Sequence, residues 1–226
     1  MILSPRVTAE FSNPWLSWSY VKSNTHQILD ATQAHVTLTV LSVLLGMLVS
    51  VPLALLGRQS KWLRGGVLGV SNVMYAIPSL AAIVALYPVF GLSKWTVVIS
   101  LAGYSLVILV RNILVGLDQV PEETIEAARG MGLGSTRVFV QVSLPLALPA
   151  IMAGLRIATV STIELVVIGA YVGQNGYGEF IIEGFHDNYR AEISTYLILT
   201  VLLAITADLV ILGLERLLTP WRRRAT

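Results

Sequence analysis

Four ionisable side chains, Arg111, Arg156, Glu164 and Asp208, lie inside stretches that are otherwise apolar. A charge at the middle of a hydrocarbon layer costs roughly 2.5–3.5 kcal/mol on insertion scales, so such residues face one another or a polar interior. Arg111 falls near one end of its stretch, where a long side chain can snorkel to water. Arg156 and Asp208 fall in the same half of two different stretches, and a structural ion pair is favoured over a transport role. Arg156 and Glu164 are eight residues apart, about 12 Å along a helix, and so form no pair within it. Glu164, beside Ser161 and Thr162, has two readings. It faces a cavity where it would favour a cationic head group, or it bonds to a neighbouring helix. Tyr75, Tyr87, Tyr104 and Tyr171 are aromatics whose ring faces could attract a cation, although packing is the commoner use of such residues. His26, His35 and His186 have no ligand spacing, there is no cysteine, and no nucleophile–base set or carboxylate pair reads as an active site. The expectation is no catalytic residue and no metal site.

The stretches that hold these residues define the class of protein. Of 226 residues, 55% are hydrophobic and 12% charged, against roughly 25% charged in a soluble domain. The mean hydropathy is +0.74. The apolar residues run in blocks, and a bilayer crossing needs about 20 of them. Five spans are expected, at residues 33–56, 66–90, 96–117, 149–170 and 193–214. Pro78 and Pro88 should kink or break the second rather than end it. The fold class is all-α, a polytopic membrane bundle. Residues 1–32 are polar, with no continuous apolar run, and read as an extracytoplasmic segment that is not a cleavable signal. Residues 33–215 form the transmembrane domain and residues 216–226 a basic tail.

Orientation follows from the basic residues. Arg58, Lys61 and Arg64 fill the first short loop, Arg129 and Arg137 lie in the long third connection, and Arg216, Arg222, Arg223 and Arg224 crowd the C-terminus. With five spans, these three places share one side. The other side holds Lys94 and Arg190 among Glu179, Glu183, Asp187 and Glu192. The N-terminus is therefore expected outside and the C-terminus in the cytoplasm of a cell whose inner or plasma membrane the chain crosses. The net charge of +2 belongs to these loops and implies no nucleic-acid partner; the partner surface is membrane lipid.

The connection at residues 118–148 is polar but patterned. Pro121 suits the first turn of a helix, and Glu122 and Glu123 set negative charge against its N-terminal dipole. Glu126, Ala127 and Ala128 continue it, and Gly130, Gly132 and Gly134 stop it. Ser135 is expected to cap a second short helix, through Phe139 and Val142, that Pro145 closes. Two short helices at a glycine turn make a rigid knob, and the small alanines leave room for a close-packed partner.

This pattern resembles the "EAA loop" of permease subunits of ATP-binding-cassette importers. There, Glu-Ala-Ala is followed by three residues, Gly, nine residues, an aliphatic, one residue and Leu-Pro. Glu126, Ala127, Ala128, Gly132, Val142, Leu144 and Pro145 fit every spacing. The resemblance covers about residues 35–215 and implies a type I importer permease fold of the methionine-permease kind. It also implies that residues 126–132 with Leu144 and Pro145 couple to ATPase subunits, with ATP and magnesium bound there and no cofactor in this chain. The sequence agrees: it contains no Gly-x-x-x-x-Gly-Lys-Ser/Thr phosphate loop. The outer loops are too short for a substrate-binding domain, which implies a separate binding protein. A five-span half cannot enclose a path alone, which implies a second copy or a paralogous permease.

Within importer permeases the chain looks most like those for glycine betaine, choline, carnitine or proline-type osmoprotectants. Ala76-Ile77-Pro78-Ser79-Leu80, Tyr104-Ser105, Arg111-Asn112, residues 145–149 with Ile151-Met152-Ala153-Gly154, and Gly173, Gly176, Gly178, Phe180, Ile181 and Gly184 carry that likeness. It departs at Gln174-Asn175, at Tyr177 where relatives carry leucine, and at Glu164 where they are small or neutral. Amino-acid and methionine permeases share parts of the pattern and remain the alternative, ahead of a secondary transporter or channel that needs no ATPase.

Overall fold

The computed structural model describes residues 13–173 and 176–221; Arg222, Arg223, Arg224 and the Gln174-Asn175 departure lie outside the described residues. A short helix α1 (Trp18–Ser23) precedes the long α2 (Thr25–Gln59). Next come α3 (Lys61–Ala76), α4 (Ser79–Phe90) and α5 (Lys94–Asp118). The chain continues through α6 (Glu122–Gly130), α7 (Ser135–Val138), α8 (Leu144–Val166), α9 (Tyr177–His186) and α10 (Arg190–Leu218).

Four of these stretches are long and apolar enough to cross a membrane: α2, α5, the run Ser135–Val172 that contains α8, and α10. The α3–α4 pair qualifies as a fifth, bent by 96° at Ile77 and Pro78. Its contacts follow α5 along its length. Arg64 near the start of α3 pairs with Asp118 at the end of α5 at 2.5 Å, while Ser100 near the start of α5 bonds to Ala82 of α4. The pair thus starts at the C-terminal end of α5 and reaches toward its N-terminal end, with the bend between. Pro78 breaks it because the residue before a proline is pushed out of the helical region, and Ile77 is extended at φ −72°, ψ 127°. Pro88 sits inside α4 without breaking it.

Helix α5 is the centre: 72% of its apolar window is buried, against 33% for α2 and none for α10. It packs against α2 on one side and α8 on the other. The approach to α8 is close because the residues there are small, the way membrane helices without a hydrophobic drive bring backbones together. A Cβ on Gly116 would lie 2.9 Å from both the Ala147 carbonyl and the Ala150 methyl. One buried cluster joins Leu114 and Leu117 to Ala54, Ala147, Ile125 and Val138. A second joins Leu101 and Val97 to Leu38, Ile83, Val166 and Val172.

Several expected boundaries shift. The first loop is Ser60 alone, extended at φ −156°, ψ 152°, with its hydroxyl accepting from the Leu63 amide. Arg58, Lys61 and Arg64 are therefore helical rather than loop residues. The first long helix begins at Thr25, inside the segment expected to precede the span, because Asn24 caps α1 by bonding to the Tyr20 carbonyl and lets α2 start at once.

That opposite end, where α2 and α10 begin, is fastened by polar contacts. Asn13 bonds to Asn188 and to the Arg190 amide. Tyr20 donates to the Glu192 carboxylate at 2.8 Å. Burial and then the bond to Glu192 push the Tyr20 hydroxyl above its ordinary value, so it stays a donor. The fully buried His35 lies 2.9 Å from the Ile163 carbonyl through Nε2 and accepts the Tyr177 amide at Nδ1. The Tyr177 ring stacks on it at 4.5 Å and its hydroxyl reaches Thr32. The departure at Tyr177 thus belongs to packing.

Candidate functional site

The residues 118–148 begin with Pro121 as the N-cap of α6, extended at φ −61°, ψ 132°. Glu122 and Glu123 occupy the first turn, where the unsatisfied amides favour negative charge. Ile125 and Ala128, three residues apart, turn inward against Val120, Leu117 and Val138. Glu126 and Ala127 are exposed, as are Arg129 and Gly130. Met131 is 75% exposed, a large apolar side chain at the tip.

Gly132 has φ +83°. Its amide bonds to the Arg129 carbonyl at 2.9 Å, and the Leu133 amide reaches back to Ala128 at 3.2 Å. These two bonds, with Leu133 folded onto the core beside Ile125 and Ala128, are the Schellman ending of a helix, which needs a left-handed residue at this position. The motif glycine is the one that turns the chain.

Two local expectations are corrected here. Gly134, not Ser135, is the N-cap of α7, and no side chain caps it. Pro145 closes nothing: α7 continues through a π turn, Phe139–Ser143, into α8. Proline offers no amide to the carbonyl four residues back and its ring clashes with it. The wider turn relieves this, and the Leu144 amide bonds instead to the Phe139 carbonyl, five residues back. Residues 135–172 are therefore one helical run, with a 3₁₀ turn, Val167–Val172, at its far end. Val142 packs on the core cluster, Leu144 is exposed and Pro145 half-buried. The knob is thus a rigid extension of a span, and its other root is α5 through Asp118 and Gln119.

Arg156 and Asp208 form a two-pronged ion pair, Nε to Oδ1 and Nη2 to Oδ2, each at 2.7 Å. It joins α8 to α10. Arg111 bonds to Asn72 at 2.9 Å. Tyr104 is buried and donates to the Ile77 carbonyl, which the break at Pro78 leaves without a helical partner. Asp118, Arg111 and Tyr104 recur at seven-residue intervals on α5, and hold Arg64 and Asn72 of α3 and Ile77 just past its end. That heptad was the available signal for this set, which the apolar character of the segment hides.

Tyr75 is 59% exposed and its ring lies 6.2 Å from that of Tyr104. Tyr87 and Tyr171 are exposed. Glu164 is exposed on α8, one turn after the half-buried Ser161. Its carboxylate has no hydrogen bond or ion pair among the described residues. The structure brings Tyr75 and Tyr104 together, and Ser161 and Glu164 together. Among the described residues no hydrogen bond or ring contact joins the two pairs. No group of three or more His, Cys, Asp or Glu that could hold a metal occurs among the described residues.

Four to five helices of span length with a structured knob on one end define a polytopic membrane bundle. The chain belongs to the family of binding-protein-dependent transport system inner membrane components, matched over residues 42–224. It is 38% identical over 207 residues to the glycine betaine/carnitine/choline transport system permease protein OpuCD of Bacillus subtilis, covering 91% of this chain and 90% of that one. It is 36% identical over 209 residues to the choline transport system permease protein OpuBD of the same organism, covering 92% of each. The osmoprotectant import permease protein OsmW of Salmonella typhimurium is 32% identical over 206 residues, covering 89% of this chain and 96% of that one. Among solved structures, an inward-facing MetNI methionine ABC transporter matches with a TM-score of 0.79 at 20% identity, over 87% of this chain and 98% of that one. That likeness establishes the type I importer permease fold. The chain is a transmembrane permease component of an ABC transport system.

Proposed function

We propose that this permease imports a small osmoprotectant, of the glycine betaine, choline, carnitine or proline kind, with energy from ATPase subunits that seat on residues 126–132. The observation that carries the coupling role is the knob itself. Its polar face, with Glu126, Ala127 and the exposed Met131, projects from a turn held on two sides by α5 and α8. A surface so braced can pass a push to the spans. The substrate class rests on the kinship with choline and glycine betaine permeases. In this reading ATP and magnesium bind the partner, a second permease copy or a paralogue completes the path, and a binding protein delivers substrate outside. The N-terminus then lies outside and the C-terminus in the cytoplasm, since Arg58, Lys61, Arg64, Arg129 and Arg137 cluster at the knob end.

Glu164, Ser161 and Tyr75 line the path in this proposal. An uncompensated carboxylate on a span is costly against lipid, and a water-filled path removes that cost. Tyr104 contributes by holding the bend that presents Tyr75. The test is uptake by vesicles containing the permease with its ATPase and binding protein. ATP-dependent accumulation of labelled choline or glycine betaine, competed by the other and not by methionine, is expected. Accumulation that needs no ATPase, or that methionine competes, overturns the proposal.

A further inference from the structure

A groove of about 500 Å³ lies between the N-terminal segment and α10, lined by Leu16, Trp18, Val21, Ile28, Ile198 and Leu199. Its wall on α10 belongs to the helix with no buried part in its apolar window, so the groove opens sideways, toward the surroundings of the bundle. The lining is mainly apolar, with Ser17 and Thr195 its polar members, and the rim is charged. Lys22 lies 5.9 Å from the centre of the Trp18 ring, and the Arg190 guanidinium lies 5.4 Å from that of Trp15. Both cations are exposed. Ser194 on the first turn of α10 donates to the Trp15 carbonyl, which ties the rim to the helix that forms the wall. The nearby carboxylate of Glu192 is buried and accepts from the Tyr20 hydroxyl.

Indoles with cations at a span end mark the level of the lipid head groups. From Arg190 to Leu199 the groove descends about 14 Å along α10, from that level into hydrocarbon. Two positive charges above an apolar slot complement an amphiphile with a negative head and a hydrocarbon chain. We propose that this groove seats one acyl chain of an anionic phospholipid whose phosphate is held at the Lys22 and Arg190 rim. The lipid would fasten the N-terminal segment to α10.

The test uses the purified, delipidated full chain in detergent, with phosphatidylglycerol and phosphatidylcholine of identical chains added in turn and retention read by native mass spectrometry. Phosphatidylglycerol should be retained about thirtyfold better, the preference expected for two basic residues near an anionic head group. The double variant Lys22→Gln, Arg190→Gln should lose that preference while keeping the basal retention. Ile198→Trp, which fills the slot from an exposed position, should lower retention of both lipids. Circular dichroism of each variant controls for folding, and Lys22→Gln alone, a single exposed change, should lose part of the preference. Equal retention of the two lipids by the unaltered chain overturns the proposal. So does a preference that survives the double variant, or an Ile198→Trp chain that keeps both lipids or changes only its association with a second copy.

Discussion

Replacing Gly132 by alanine isolates the turn of the knob from everything else. A methyl group there meets no atom within 4 Å, so neither a clash nor a lost contact enters. What remains is the backbone at φ +83°, which costs a residue with a Cβ about 1–2 kcal/mol. Alanine also stiffens the unfolded chain, but where φ is positive the native-state strain outweighs that gain. A cost of this size shifts a local equilibrium about 5- to 30-fold. It falls on the two bonds that the turn closes, Gly132 to Arg129 and Leu133 to Ala128. The spans keep all of their contacts, so the protein should reach the membrane in normal amount. In vesicles with the ATPase and binding protein, Gly132→Ala should lower substrate moved per ATP hydrolysed. Gly132→Asn should fall between, since asparagine tolerates the left-handed region better. Gly130→Ala is the control, because Gly130 is helical with open space around it and alanine is favoured there by about 0.5–1 kcal/mol. Full coupling in Gly132→Ala, or an equal loss in Gly130→Ala, refutes the reasoning.

Asp208→Asn should lower the melting temperature by leaving Arg156 without its partner, and the exchange Arg156→Asp with Asp208→Arg should recover part of it; a single variant as stable as the parent would make the pair incidental. Tyr104→Phe removes the bond to the Ile77 carbonyl and should cost about 0.5–1.5 kcal/mol, seen as faster amide exchange confined to residues 77–80, and unchanged exchange there would show that the bend holds itself. Glu164→Gln should reduce uptake of choline more than that of a neutral or zwitterionic solute, and equal uptake of both by parent and variant would remove Glu164 from the path.

The spans were legible because apolar blocks of span length leave few alternatives, and the knob because prolines, glycines and a fixed Glu-Ala-Ala spacing are local signals. The Arg156–Asp208 pair was legible too, since two opposite charges in apolar stretches at similar depth have few other partners. What escaped were features that depend on a neighbour. Pro145 reads locally as a stop, yet a π turn carries the helix past it into α8. Pro78 announces a break, but its 96° angle is set where Tyr104 and Ile83 hold α3 and α4 against α5. His35 has no motif around it; its role appears only when Ile163 and Tyr177 arrive from residues far along the chain.

The central claim, that residues 126–132 meet the ATPase, can be tested directly because the chain has no cysteine of its own. Ala127 is exposed on the knob and Phe185 is exposed on α9, among the contacts at the opposite end. In transporter assembled with its ATPase, a short thiol–amine crosslinker should join Ala127→Cys to the ATPase and leave Phe185→Cys unlinked to it. An Ala127→Cys chain that assembles, hydrolyses ATP and yet gives no crosslink, or a Phe185→Cys chain that does, would contradict the account.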